Sequence, residues 1–321
     1  MTTHLVAAID IGGTKIAGAL VDAGGELLHR VQRPTPAGES GEQVLRAATD
    51  VVSGLTAHPL WSRVGAVGIG SAGPVDARSG TVSPVNIPGW RDFPLVAGIR
   101  ETTGALPVTL VGDGAAIAAG EHWRGAAQGR DNALCMVVST GVGGGLILDG
   151  RLRPGPTGNA GHIGHISVDL DGDLCPCGGR GCVERIASGT NIARYALDAG
   201  WRPATADGDT SAAGVAAAAR DGHPVALAAF TRSARALAAG IAATASLVEL
   251  ETVVVGGGVS QSGDVLFTPL RAALREFATL PFVRNLEVVP ARLGTDAGLV
   301  GAAAACWSES DTFLARGAAG T

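Results

Sequence analysis

The chain has 321 residues, long enough for two domains rather than one. Its net charge of −5, scattered over charges of both signs, argues against a nucleic-acid or anionic-membrane partner. No apolar run reaches the roughly 20 residues of a bilayer span; the longest, at 234–250, is interrupted by Gly240, Thr244 and Ser246. No basic stretch precedes the short apolar start, so a signal peptide is not expected and a cytoplasmic, reducing setting is. There, clustered cysteines point to metal or redox chemistry rather than disulfides.

Taken in order, LVAAIDIGGTKIAGALVD reads as two β-rich runs joined at a Gly-Gly turn, a hairpin. ELLHRVQRP continues as strand, GEQVLRAATDVVSGLTAH has helical apolar spacing, and VGAVGIG is a buried strand. Residues 74–94, punctuated by Pro and Gly, read as a long functional loop. VTLVGDG is a strand ending in a turn, and AAIAAGEHWRG a helix. ALCMVVSTGVGGGLILDGRL repeats the opening theme of two strands about a glycine turn. Helices rich in Ala follow at 186–199 and 210–250; ETVVVGGGVS is a strand entering a third glycine turn, and TDAGLVGAAAAC is a closing helix. The echo between DIGGTK and STGVGGG predicts a duplicated α/β fold with one phosphate-binding hairpin per half.

Each glycine turn by itself is most often only a turn. Three of them after strands raise the odds that backbone N–H groups converge on phosphate oxygens. The chain has no GxxxxGK[ST], which excludes a Walker-type loop, and no GxSxG nucleophile elbow. Gly68-Ile-Gly-Ser-Ala-Gly73 matches GxGxxG, but Pro74 stands where a dinucleotide fold needs a helix. Asp10, at a strand end before Gly12-Gly13-Thr14, suits Mg²⁺ beside phosphates or, equally, a bond to turn amides. Lys15 is the chain's only lysine. Asp113 lies at the carboxyl end of a strand, where open α/β sheets bind ligands, and could accept a hydroxyl proton; read locally, a helix N-cap is its leading assignment.

Residues 160–184 hold two of the seven histidines and three of the five cysteines. The spacing Cys175-x-Cys177-x₄-Cys182, with His165 upstream, supplies three thiols and an imidazole. That set leaves no open position on Zn²⁺, so the metal would be structural and would fix Glu184, two residues beyond. A Cys/His nucleophile is a poor alternative, because nothing singles out one thiol as the attacker. A redox or metal-hydrolase centre would instead need an exchangeable ligand.

Together these residues resemble the ROK family of sugar kinases and repressors, within the actin/hexokinase-like ATPase superfamily. The resemblance covers nearly the whole chain. Asp10-Ile-Gly-Gly-Thr-Lys15 resembles the first phosphate motif, Ser139-Thr-Gly-Val-Gly-Gly-Gly145 the second, and Val255-Gly-Gly-Gly258 the adenosine motif. Cys175-Pro-Cys-Gly-Gly-Arg-Gly-Cys182 resembles the family's zinc signature, completed by His165. The resemblance implies a duplicated actin-like (ribonuclease H-like) α/β fold of two domains with a cleft between them, divided as 1–114 plus 302–321 and 115–301. It implies ATP with Mg²⁺ at Asp10, Gly12, Gly13, Thr14, Lys15, Thr140, Gly141, Gly143, Gly256, Gly257 and Gly258, and a homodimer. Asp113 becomes the base for the sugar 6-hydroxyl, with Gly73, Asn86, Gly112, His162, His165 and Glu184 around the sugar. Only nine residues precede Asp10, too few for a repressor's DNA-binding region, so a kinase is expected.

Two departures bear on the sugar. Where the family usually reads N-D-A-N, this chain reads Gly112-Asp113-Gly114-Ala115, losing an asparagine that bonds a sugar hydroxyl. Where it reads ExGH, this chain has His162-Ile-Gly-His165, as in bacterial N-acetylmannosamine kinases. NIPGW is closer to the glucokinase and N-acetylglucosamine kinase loop. The expected reaction is phosphorylation of an N-acetylhexosamine at O6; the alternatives are a glucokinase and, on the Gly112 and Ala115 departures, a non-catalytic sugar sensor.

Overall fold

The computed structural model describes residues 4–205 and 207–309. In chain order the elements are β1 (Leu5–Ile11), β2 (Lys15–Val21), β3 (Leu27–Pro34), α1 (Gly41–Thr56), β4 (Val64–Ser71), β5 (Val75–Asp76), β6 (Thr81–Val82), α2 (Leu95–Thr103), β7 (Val108–Gly112) and α3 (Asp113–Arg124). They continue as β8 (Ala133–Val138), β9 (Val142–Leu148), β10 (Arg151–Leu152), α4 (Val183–Ala187), α5 (Gly189–Asp198), α6 (Ala212–Arg220) and α7 (Pro224–Val248). Last come β11 (Thr252–Gly256), α8 (Asp264–Phe277), β12 (Glu287–Pro290) and α9 (Ala297–Glu309).

Both glycine hairpins form, and each founds a five-stranded sheet. The orders are β3-β2-β1-β4-β7 and β10-β9-β8-β11-β12. In each, the opening strand pairs antiparallel with its hairpin partner on one side and parallel with a later strand on the other: β1 with β4, and β8 with β11. The duplication expected from the sequence echo is therefore a duplication of topology.

The chain divides into two compact units. The first holds the described residues up to Gly129, Gly145–Gly161 and those from Thr295; the second holds Arg130–Gly144 and His162–Gly294. This differs from the expected division at 114/115 and 301/302, whose residues 1–3 and 310–321 lie outside the described residues. The physical reason is the packing of α3 on α9: a methyl group added at Gly120 would sit 2.8 Å from the Ala297 carbonyl, and one at Gly301 would overlap that of Ala116. Small residues let these two helices touch backbone to backbone, which ties α3 and the whole of α9 to the first sheet.

In the first unit Leu5, Ala7, Ile9 and Ile11 face one core with α1, α2 and Trp90, while Val6 and Ala8 face a second core with Ala302, Ala303 and Cys306 of α9. Both faces of β1 are covered, so it reads as one apolar run instead of alternating. In the second unit α7 packs against α4, α5, α6 and α8. It is long and apolar enough to span a membrane, but 61% of its most apolar window is buried, as in a core helix.

The helices expected at 186–199 and 210–250 are each interrupted. Ser188 ends α4 and caps α5 by accepting from the Asn191 N–H. Gly222, at φ +83°, and Pro224, at the first position of α7, separate α6 from α7. Elements α2, α8 and β12 lie where the sequence reading assigns none, and the 74–94 loop contains the short antiparallel pair β5/β6.

Candidate functional site

In the first unit the end of β1 carries Asp10, paired across the hairpin with Ala17 and in parallel with Gly70 of β4. The turn is closed by Gly12 N–H donating to the Lys15 carbonyl (3.0 Å), and braced by Thr35 Oγ1 donating to the Gly12 carbonyl (2.6 Å). Thr14 and Lys15 are exposed. Gly298 of α9 is an opening for the acid, because a Cβ there would come within 2.6 Å of the Asp10 carboxyl carbon. Burial pushes the Asp10 carboxyl up to about 6, Asp113 adds to the rise, and Lys15 opposes it.

Asp113 is the first residue of α3 and not its N-cap, which corrects the local reading. The extended residue at the cap position is Gly112, the last of β7, and Asp113 Oδ1 accepts from the next N–H, that of Gly114 (2.7 Å). The carboxylate is exposed, at the end of α3 where the helix dipole favours negative charge. Asp113 is thus close enough to Asp10, in the same unit, to raise the cost of ionising Asp10.

The same unit presents Asn86 on the surface, immediately before the buried anchor Ile87 and four residues before the buried Trp90. Trp90 Nε1 donates to the Gly41 carbonyl (3.0 Å) and its ring stacks on Phe93. Asn86 lies against the first glycine turn: a Cβ at Gly13 would meet its Nδ2 at 2.5 Å. Gly73 precedes Pro74 through a cis peptide bond.

In the second unit His162 and His165 flank a short 3₁₀ turn, with rings stacked 6.0 Å apart and both side chains exposed. Glu184, in the first turn of α4, accepts the Val142 N–H through Oε2 (2.8 Å), and a Cβ at Gly141 would come within 2.7 Å of that same oxygen. That carboxylate is therefore oriented by the second glycine hairpin.

His165, Cys175, Cys177 and Cys182 place one donor atom each within 4.8 Å of all the others. Cys177 and Cys182 sulfurs are 3.7 Å apart, and Cys175 Sγ lies 3.9 Å from His165 Nδ1. A tetrahedron of about 2.3 Å Zn–S bonds has edges of about 3.8 Å, so the donor set fits Zn²⁺. Burial, reinforced by the neighbouring thiols, pushes the Cys182 thiol up to about 12, while the Gly179 N–H holds that of Cys177 below its ordinary value. A cation held by this set would stabilise the thiolates that the neighbouring thiols otherwise suppress.

A separate cavity of about 630 Å³ in this unit is lined by Thr140 from the second glycine turn and Gly258 from the third, with Thr190, Arg194, Asp209 and Ser211 from the α5–α6 region. Gly257, at φ +87°, gives the third turn a backbone that other residues rarely adopt. Gly141 and Gly143 lie in and after the second turn, and Gly256 ends β11. The α5–α6 lining is missing from the sequence reading, because Thr190, Asp209 and Ser211 read as ordinary helix-start residues; Ser211 does cap α6.

The model of the ROK family matches residues 6–309. A glucokinase of Streptomyces coelicolor is 38% identical over 93% of this chain and 96% of its own length. An N-acetylmannosamine kinase of Yersinia pseudotuberculosis is 40% identical over 92% and 96%. The crystal structure of a ROK family glucokinase from Streptomyces griseus, in complex with glucose and AMPPNP, superimposes with a TM-score of 0.80 at 39% identity, covering 93% of this chain and 98% of that one. Family match, duplicated sheet topology and relatives aligned almost end to end converge on one assignment: this chain belongs to the ROK family and has its actin-like ATPase fold.

Proposed function

We propose that the chain is an ATP-dependent sugar kinase that phosphorylates the 6-hydroxyl of an N-acetylhexosamine, N-acetylmannosamine first among them. The kinase class is supported by the glucokinase and N-acetylmannosamine kinase relatives. The finer choice rests on one observation, the imidazole of His162 beside that of His165 where the family usually has a glutamate. A carboxylate only accepts hydrogen bonds, whereas a neutral imidazole offers one donor and one acceptor. A donor suits the carbonyl of an N-acetyl group better than a second acceptor would.

In this reading Asp113 accepts the proton of the 6-hydroxyl as that oxygen attacks phosphorus in line. Asn86, His162, His165 and Glu184 hold the ring hydroxyls, with Gly73 and Gly112 as backbone contacts. The amides of Gly12, Gly13, Gly141 and Gly143, with the side chains of Thr14, Lys15 and Thr140, bind phosphate oxygens. The turn at Gly256, Gly257 and Gly258 and the α5–α6 cavity take the nucleoside. Asp10 is the residue for Mg²⁺, directly or through water, because its carboxyl is raised by burial and then by the neighbouring Asp113, and a divalent cation would offset both. When bound, Mg²⁺ would neutralise charge on the phosphates. Zn²⁺ held by His165, Cys175, Cys177 and Cys182 would keep His165 and Glu184 in position, with His165 using Nδ1 for the metal and Nε2 for the sugar.

A second reading, glucokinase, is favoured by the NIPGW loop and by relatives as similar as the N-acetylmannosamine kinases. Initial rates with glucose, N-acetylglucosamine and N-acetylmannosamine, compared as kcat/KM, separate the two. The highest value is expected for N-acetylmannosamine. A value for glucose tenfold above both amino sugars would replace this proposal with the glucokinase, and absence of ADP release with any hexose would replace both with a sugar sensor.

A further inference from the structure

At the edge of the second sheet, between the last two turns of α8 and strand β12, lies a cavity of about 300 Å³ with three arginines on its wall, Arg271, Arg275 and Arg284. It belongs to none of the residues invoked above. β12 is the outermost strand of its sheet, and the cavity sits beside its start at Glu287 and Val288. Glu287 pairs with Thr252, at the opposite end of β11 from the Gly256 turn.

The three guanidinium groups differ in what already occupies them. Arg271 donates through Nε (3.3 Å) and Nη2 (3.0 Å) to the Val288 carbonyl and lies over the Phe267 ring, so its plane is fixed. It satisfies an edge-strand carbonyl, a structural duty in its own right. Arg275 and Arg284 have no such duty: among the described residues neither guanidinium makes a hydrogen bond, ion pair or ring contact. Arg275 in the last turn of α8 gains something from the helix dipole, but that requires neither Arg271 nor Arg284.

Local acids do not cancel this charge. Glu287, on the cavity wall, is committed to Arg130 at 2.7 Å, and Glu276, next to Arg275 in sequence, is committed to Arg235 at 2.6 and 3.0 Å. Three solvent-exposed arginines line one small concavity although the chain's net charge is −5. Leu274, Ala278, Val283 and Leu286 complete the wall with apolar surface. Planar forks match the oxygens of a phosphate two at a time, and the volume is at the lower end of small-ligand sites.

From this we infer a second anion site, in which Arg271, Arg275 and Arg284 bind a phosphate dianion and the apolar wall receives the small carbon skeleton it esterifies. The inference stands apart from the choice of sugar and from the assigned base.

The test is calorimetric titration of the full chain, and of its Arg275→Gln/Arg284→Gln variant, with inorganic phosphate and with glucose 6-phosphate at equal ionic strength. Binding elsewhere is common to both proteins, so the difference isolates the cavity. The wild-type chain is expected to have one more site than the variant for at least one probe, or about tenfold tighter binding there. Loss with both probes identifies the phosphate group as sufficient; loss with glucose 6-phosphate alone identifies a phosphate ester. Identical isotherms in the two proteins for both probes would overturn the inference, as would a variant that changes only the oligomeric mass. Ligand-free thermal unfolding should match within a degree or two, because neither arginine holds the fold; Arg275→Lys/Arg284→Lys, which keeps the charge and removes the forks, should bind with intermediate affinity.

Discussion

The two sheets are the same figure drawn twice, yet they carry different chemistry. Each begins with a strand, a glycine turn and a returning strand, and each then adds a parallel strand on the other side of the first. In the first sheet the path from β3 to β4 passes through one α-helix, and the hairpin end bears the acid Asp10. In the second, the path from β10 to β11 takes in the Cys/His cluster and α4 to α7, and its hairpin bears no acid. The repeated part is what a phosphate needs, strand-end backbone amides. The unrepeated parts distinguish the halves: an acid pair in one, and in the other a Cys/His donor cluster beside His162 and the α5–α6 cavity, which the proposed function reads as a metal-braced sugar platform and a nucleoside site. Duplication supplies the scaffold, and insertions decide what it does.

The largest test of this division falls on the first unit. Asp113→Asn should lower kcat by about 10²–10⁴ with sugar affinity unchanged by titration. Residual turnover near wild type would remove Asp113 from the role of base. On the second unit, chelation of zinc, or Cys177→Ser, should weaken sugar binding by about 10–100-fold, since a structural metal orients the groups beside it. Binding of AMPPNP, read by the same calorimetry, should change far less; equal losses of both ligands would mean the metal holds the whole unit and not the sugar platform.

A smaller effect separates the acid pair from everything in the second half. The raised Asp10 carboxyl favours the folded state below its ordinary 3.8, and that contribution is lost as pH rises through about 6. At pH 8 the ligand-free protein therefore bears the full cost of an ionised Asp10. Asp10→Asn should raise its stability there by about 1–3 kcal/mol, and by almost nothing at pH 4. A constant difference across that range would show that the substitution acts through packing. The smallest effect expected is from Trp90→Phe, which removes the bond to the Gly41 carbonyl and should cost about 1 kcal/mol in thermal or urea unfolding.

The sequence by itself determined the repeated part and the Cys/His cluster. Strand–glycine–strand patterns are local, and Cys175, Cys177 and Cys182 are near neighbours along the chain, so spacing alone carries them. It also marked Asp10 and Asp113 as strand-end acids, though not that they are electrostatic neighbours. The tertiary structure decided what depends on distant residues. Gly120 and Gly301 let α3 and α9 touch, which assigns α3 to the first unit; Gly298 makes the space that the half-buried Asp10 carboxyl occupies and in which it is raised. Gly112, as the end of a strand, takes the cap position and leaves Asp113 as the first helical residue. The α5–α6 cavity and the three arginines at β12 were hidden for the same reason. Each is assembled from segments whose own patterns announce only helix starts and surface charge, and convergence in space leaves no mark on local spacing.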